Sequence, residues 1–195
     1  MPGTFPVSLG QWLFARTRKG EWNVDHVAVV VEASHTTGRG DHTFDPRIVQ
    51  AMPSGAEEIS IGLEHWTGEY MFIRPEYSAR PSGAWANQAD RVAAAARFYV
   101  GTPYSFLDYV AIAGLHAGVR NGPIRGYVTS SRHMICSQLA DQAMSDAGWH
   151  VFDDGRLPQD VMPVELWRKM LGMAGWYYIP GNVGWRRCGE GTATA

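Results

Sequence analysis

M-I-C-S-Q-L-A-D-Q-A, residues 134–143, decides how the rest of the chain is read. Cys136 follows an apolar pair and precedes Leu139, Ala140, Ala143, Met144 and Ala147, a run with helical spacing. The thiol therefore falls at or beside a helix N-terminus. Unpaired backbone N–H groups and the positive end of the helix dipole favour thiolate over thiol there. With a histidine base in reach, such a cysteine is a nucleophile. Without one it is a small buried hydrophobe, as free cysteines often are.

The base comes from the most strand-like stretch of the chain. V-D-H-V-A-V-V-V-E-A, residues 24–33, is dense in β-branched residues and carries His26 near its start. Arg47 to Met52 (R-I-V-Q-A-M) reads as another strand, closed by the turn Pro53-Ser54-Gly55. Strand alternation sends Val49 and Ala51 to one face and Gln50 to the other, which makes Gln50 the candidate to orient an imidazole. Glu32 shares the parity of His26 but lies six residues away, about 20 Å along an extended strand, too far to hold the ring. Asp25 points to the opposite face.

Around these pieces the chain divides into strands first and helices second. Val7 to Arg16 reads as a strand, Thr17 to Asn23 as a turn and Ser34 to Pro46 as a loop. Glu58 to Leu63 and Tyr70 to Arg74 read as two further strands of an antiparallel meander or barrel. Beyond the Pro/Ser/Gly connection 75–83, Ala84 to Val100 has helical periodicity, with Ala89, Val92, Ala93, Ala96 and Tyr99 on one face. A second, apolar helix is expected over Tyr104 to Ala117 and a loop over Asn121 to His133. The nucleophile helix follows, closed by Gly148, and a last short helix lies within Pro158 to Met173 with Pro163 in its first turn. The expected fold class is α+β: a meander or barrel-like sheet with helices packed on one side, one domain over residues 1–188 and a disordered tail over 189–195.

Composition bounds the function. A chain of 195 residues is one domain rather than two. With 18% charged residues and a net charge of -2, it lacks the basic footprint of a nucleic-acid binder. Cys136 and Cys188 are the only cysteines, so no disulfide framework supports the fold, though one bridge between them is arithmetically open. The seven histidines show no H-E-x-x-H spacing, and no C-x-x-C pair occurs; neither a metal nor a cofactor is expected. His133, three residues before Cys136, is the rival base. Tyr104 reads either as a core aromatic or as a polar contributor to a site. No secretory signal and no run of 18 apolar residues is found, so the cytoplasm is the default location, with a virion or signal-less export equally compatible. Nothing in the sequence sets an oligomeric state.

Four segments taken in order resemble one family. Asp25-His26-Val27-Ala28-Val29-Val30, then Ile48-Val49-Gln50-Ala51 with Pro53-Ser54-Gly55, then Gly101-Thr102-Pro103-Tyr104, then Cys136-Ser137-Gln138-Leu139 are similar to the circularly permuted NlpC-type papain-like cysteine hydrolases. That branch includes YiiX-like proteins and is related to lecithin:retinol acyltransferase; the similarity spans roughly residues 8–170. It implies a papain-like fold and a thiol-dependent amidase or endopeptidase, with Cys136 as nucleophile, His26 as base, Gln50 as the orienting residue and Tyr104 assisting at the oxyanion. It further implies a peptide or amide substrate, cell-wall peptide being the first expectation, which would suit a phage-encoded or virion-associated peptidoglycan hydrolase. Lipid acyl hydrolysis or acyl transfer on the same scaffold is the alternative within enzymes. A catalytically silent virion component is the alternative outside them. Two positions depart from the family pattern: Gln50 stands where Glu is frequent, and Gln138 replaces the common Glu after Cys-Ser, at a position expected to be structural.

Overall fold

In the computed structural model the described residues are 24, 26–38, 41–61, 71–75, 84–104, 133–178 and 186–187. The valine-rich stretch builds β1 (Ala28–Gly38), which pairs antiparallel with β2 (Asp41–Met52) from Ala28 opposite Gln50 to Gly38 opposite Asp41. The expected loop over Ser34 to Pro46 is thus the far half of a long hairpin. Its Thr36, Thr37, Thr43 and Phe44 are residue types that a β ladder accepts, and they outweigh the polar composition that suggested a loop. The register slips between Val30 and Glu32, a bulge at Val31.

β3 (Gly55–Ser60) returns along β2 after the two-residue connection Pro53-Ser54, with Met52 opposite Gly55 and Gln50 opposite Glu57. Gly55 has φ +116°, and a Cβ there would come within 3.3 Å of the Thr102 carbonyl oxygen, so the turn needs glycine for its backbone and for its neighbour. The sheet order β1-β2-β3 is an antiparallel meander. β4 (Phe72–Pro75), expected to extend that meander, leaves it instead. It pairs with β5 (Ala174–Tyr178), which in turn pairs with β6 (Arg186–Arg187) in a second sheet. The partner strand lies about 100 residues away in sequence, where local pattern carries no information.

Among the described residues three α-helices accompany the sheets: α1 (Ala84–Phe98), α2 (Cys136–Asp146) and α3 (Pro163–Met173), with a short 3₁₀ turn over Pro158–Asp160. In α1 Ala93 and Ala96 are buried and Val92 is half-buried, as is Tyr99 just past its end, while Ala89 is exposed, outside the face expected for it. The core joins Val31, Val49, Ala51 and Ala56 of the first sheet to Ala93 and Ala96 of α1 and to Cys136, Leu139 and Ala143 of α2. Burying a side chain such as Leu139, which is fully enclosed, contributes about 1.5–3 kcal/mol. Helices therefore pack on the meander through their small residues, and the molecule is α+β.

The end of α2 follows from one residue. Gly148 adopts φ +82°, its N–H donates to Ser145 O at 2.8 Å, and the Trp149 N–H donates to Met144 O at 2.9 Å. These two bonds satisfy the last carbonyls and stop the helix where glycine permits the left-handed turn. Pro163 opens α3, as its position in the sequence implies. Among the described residues no helix is long and apolar enough to cross a membrane. The expected strand over Val7 to Arg16, nearly all of the helix and loop expected between Tyr104 and His133, Cys188, and the tail lie outside the described residues.

Candidate active site

α2 begins at Cys136, as the apolar periodicity requires. Its first turn is held by the two residues after the cysteine. Gln138 is buried and uses both ends of its amide: Oε1 accepts from the Ile135 N–H at 2.9 Å, and Nε2 donates to Gln159 O at 2.8 Å. The first bond is one half of a capping box, and a neutral amide makes it as well as a carboxylate would. Ser137, fully buried, donates its hydroxyl to Val161 O at 2.6 Å. These contacts fasten the segment 159–161 to the helix start and fix where the thiol sits. Gln138 is structural, as expected.

The histidine reaches the thiol from the start of β1. His26 is exposed, and its Nε2 lies 3.0 Å from Gln50 Oε1. Two strand facts produce that contact. Gln50 faces away from the core-directed Val49 and Ala51, and its ladder partner is Ala28, so His26 is the diagonal neighbour on the same face. Burial is the strongest single influence on the Cys136 thiol and pushes it up. The positive His26 ring, a hydrogen bond from that ring, and the Val27 and Ser137 backbone N–H groups together overcome burial and hold the thiol below its usual range. The structure thus brings Cys136, His26 and Gln50 together from residues 110, 86 and 24 positions apart.

Tyr104 arrives by a different route. The Gly101-Thr102-Pro103-Tyr104 segment is pinned to β3 by Ala56 N–H donating to Thr102 O and Gly101 N–H donating to Ala56 O, both at 2.8 Å. On its other side Pro103 O accepts from the Met134 N–H at 3.1 Å, two residues before the cysteine. Tyr104 is half-buried and packs against the apolar cluster that contains Cys136. It is therefore a neighbour of the site through packing.

His133 is exposed and lines a shallow depression with Met134, Gln138, Gln142, Pro158 and Gln159. The histidine whose charge and hydrogen bond reach the thiol is His26. Glu32 stands 3.7 Å from Arg97. One residue of the arrangement escaped the sequence reading: Glu57, whose Oε1 accepts from Gln50 Nε2 at 3.1 Å. Its signal was the two-residue turn, which fixes the antiparallel register and sets residue 57 opposite residue 50. Among the described residues no group of three or more His, Cys, Asp or Glu side chains is placed to hold a metal ion.

Chemically, the arrangement offers a thiol held below its usual range, an exposed imidazole beside it, and an amide hydrogen-bonded to the ring. Gln50 Oε1 can only accept, so His26 Nε2 carries the hydrogen and Nδ1 is the nitrogen left for the thiol. Comparison of the chain with protein-family models, with curated proteins and with solved structures gave no match.

Proposed function

We propose that the chain is a cysteine hydrolase of the amidase or endopeptidase type, acting on peptide substrates, cell-wall peptide first among them. The observation that carries the reading is the Cys136 thiol at the start of α2, held below its usual range against the pull of burial by His26, with Gln50 on the far side of the ring. The resemblance of the four segments to the permuted NlpC-type hydrolases supports the same reading and supplies its substrate class and papain-like fold.

In this mechanism His26 Nδ1 takes the thiol proton and the Cys136 sulfur attacks the carbonyl carbon. The Ser137 N–H of the first helical turn reaches the sulfur, and the neighbouring Cys136 N–H is the donor for the oxyanion, with Tyr104 assisting; one such donor is worth about a hundred- to a thousandfold in rate. The tetrahedral adduct collapses as the C–N bond breaks and His26 gives its proton to the departing amine. Water, deprotonated by His26, then cleaves the thioester, releasing the acid and the thiol. Gln50 holds the ring throughout, in the role an asparagine plays in papain-like sites.

The test is to incubate the protein and its Cys136→Ala variant with purified peptidoglycan and, separately, with phospholipid vesicles, and to identify products by mass spectrometry. Peptide fragments formed only by the unaltered protein are expected. Fatty-acid release would transfer the assignment to lipid acyl chemistry. No product from either substrate, with a thiol that iodoacetamide alkylates no faster than a peptide cysteine, would refute the hydrolase.

A further inference from the structure

Gln50 has two chemically different ends, and only one of them serves His26. If the amide turned over, its NH₂ would face Nε2, the ring would have to accept there, and Nδ1 would carry the hydrogen that a base must lack. An amide by itself has little to choose between the two orientations. The residue opposite it on β3 makes the choice. Glu57 pairs with Gln50 across the ladder and its carboxylate accepts from Gln50 Nε2 at 3.1 Å, leaving Oε1 for His26 at 3.0 Å. A carboxylate has no hydrogen to give, so the reversed amide would set two acceptors against each other. The adjacent Glu58 cannot take this part: strand alternation turns it to the other face, where Arg47 Nε at 2.8 Å and Arg97 Nε at 3.1 Å occupy its oxygens.

We infer that Glu57 is a positioning residue of the Cys136–His26 site: it selects the orientation of the Gln50 amide, and through it the tautomer of His26. The inference rests on the hydrolase reading above and extends it by one residue. It also accounts for the amide at position 50. Two carboxylates at the distance of Gln50 and Glu57 would repel one another, whereas Gln50 between Glu57 and His26 passes the carboxylate's polarisation to the ring through two hydrogen bonds in series. A neutral third residue and a carboxylate behind it work as a unit.

The experiment uses the pH dependence of iodoacetamide alkylation of Cys136, which needs no substrate, beside peptidoglycan hydrolysis and thermal unfolding. Glu57→Ala should slow alkylation near pH 7 by about three- to tenfold, the worth of one hydrogen bond, and move the profile toward that of an ordinary thiol. Exchanging the pair gives the sharper reading. Glu57→Gln and Gln50→Glu should each lower reactivity, the second by setting carboxylates side by side, and the double variant Gln50→Glu/Glu57→Gln should recover to within about threefold of the starting protein. Residues that merely fill a ladder position would not rescue one another. If Glu57→Ala unfolds, the isosteric exchange decides. A Glu57→Ala profile identical to the unaltered protein's, or a double variant no better than the worse single, overturns the inference and leaves the hydrolase standing. A starting protein that releases no product and whose thiol reacts as a free peptide cysteine overturns both.

Discussion

Two histidines lean on the same helix, and one of them meets a thiol while the other meets a carboxylate. His26 approaches the start of α2, exposed, with a neutral amide behind it and a thiol in front. His150 approaches the middle of α2, where its Nε2 lies 3.2 Å from Asp141 Oδ2, a carboxylate with no exposed surface. By residue type the second pair looks the stronger catalytic dyad. Its surroundings say otherwise. One helical turn earlier, the Ser137 hydroxyl is fully buried and committed to Val161 O. Burial dominates Asp141 and raises its carboxyl, more than His150, the Val151 N–H and Arg156 lower it. Arg156 stacks over Phe152 at 4.4 Å, closing the segment after the helix onto the same place. A histidine beside an acid is thus as readily a fastening as a reactive pair. Access to a thiol at a helix start makes the difference.

Exchanging each histidine for alanine should separate the two regions. His26→Ala should cut hydrolysis by about 10²- to 10⁴-fold, the range for loss of a general base. It should also leave burial as the main influence on Cys136, so alkylation would need a pH above the ordinary thiol value of about 8.5. His150→Ala should leave the alkylation profile in place; equal losses in the two variants would break the comparison. Leu139→Ala, in the fully buried position between the two regions, should cost about 2–5 kcal/mol in urea unfolding and lower reactivity only as far as the fold loosens.

His150→Ala should cost about 1–3 kcal/mol at neutral pH, because it leaves a buried carboxylate less well paired. The sign of its pH dependence is fixed. The Asp141 carboxyl is raised in the fold, so the folded state binds the proton more tightly than the unfolded chain. Stability is then greatest below the ordinary carboxylate value and falls as pH rises through the raised one. Removing His150 should widen that window upward, visible in unfolding midpoints measured from pH 4 to 8. His26→Ala should move the same midpoints by less than about 1 kcal/mol, since the ring is exposed. The smallest effect belongs to Asp154, whose carboxyl is held down at about 2 mainly by its hydrogen bond to Arg156. Its contribution is present above the ordinary carboxylate value and fades as pH falls toward 2. Asp154→Ala should cost under about 1 kcal/mol at neutral pH, as expected of a partly exposed pair.

How much of this was legible in the sequence depended on the range over which each feature is encoded. The start of α2, its glycine stop and the facing of Gln50 are written within a few residues and were read from them. The hairpin over Ser34–Pro46 was misread because polar β-branched residues resemble a loop until a partner strand is known. β4 was assigned to the wrong sheet because its neighbour is encoded near residue 176, about 100 residues further along the chain. Glu57 was legible in principle: a two-residue turn after Met52 pairs residues whose numbers sum to 107, and 50 with 57 is one such pair. The bulge at Val31 had no comparable sign, since nothing in a run of valines says which residue is unpaired.

The order of the pieces along the chain has a consequence in time. His26, Gln50 and Glu57 belong to two adjacent turns of chain, and about 80 residues separate Glu57 from Cys136. At ordinary rates of synthesis the histidine and its two supports emerge roughly 4–16 s before the thiol does. A hairpin and its partner strand can close within microseconds of emerging. The strands that carry His26 and its two supports can therefore pair before Cys136 is made, and the sulfur meets the ring only once α2 has docked on the sheet. A nascent chain stalled anywhere before residue 136 carries His26, Gln50 and Glu57 without the thiol they stand beside.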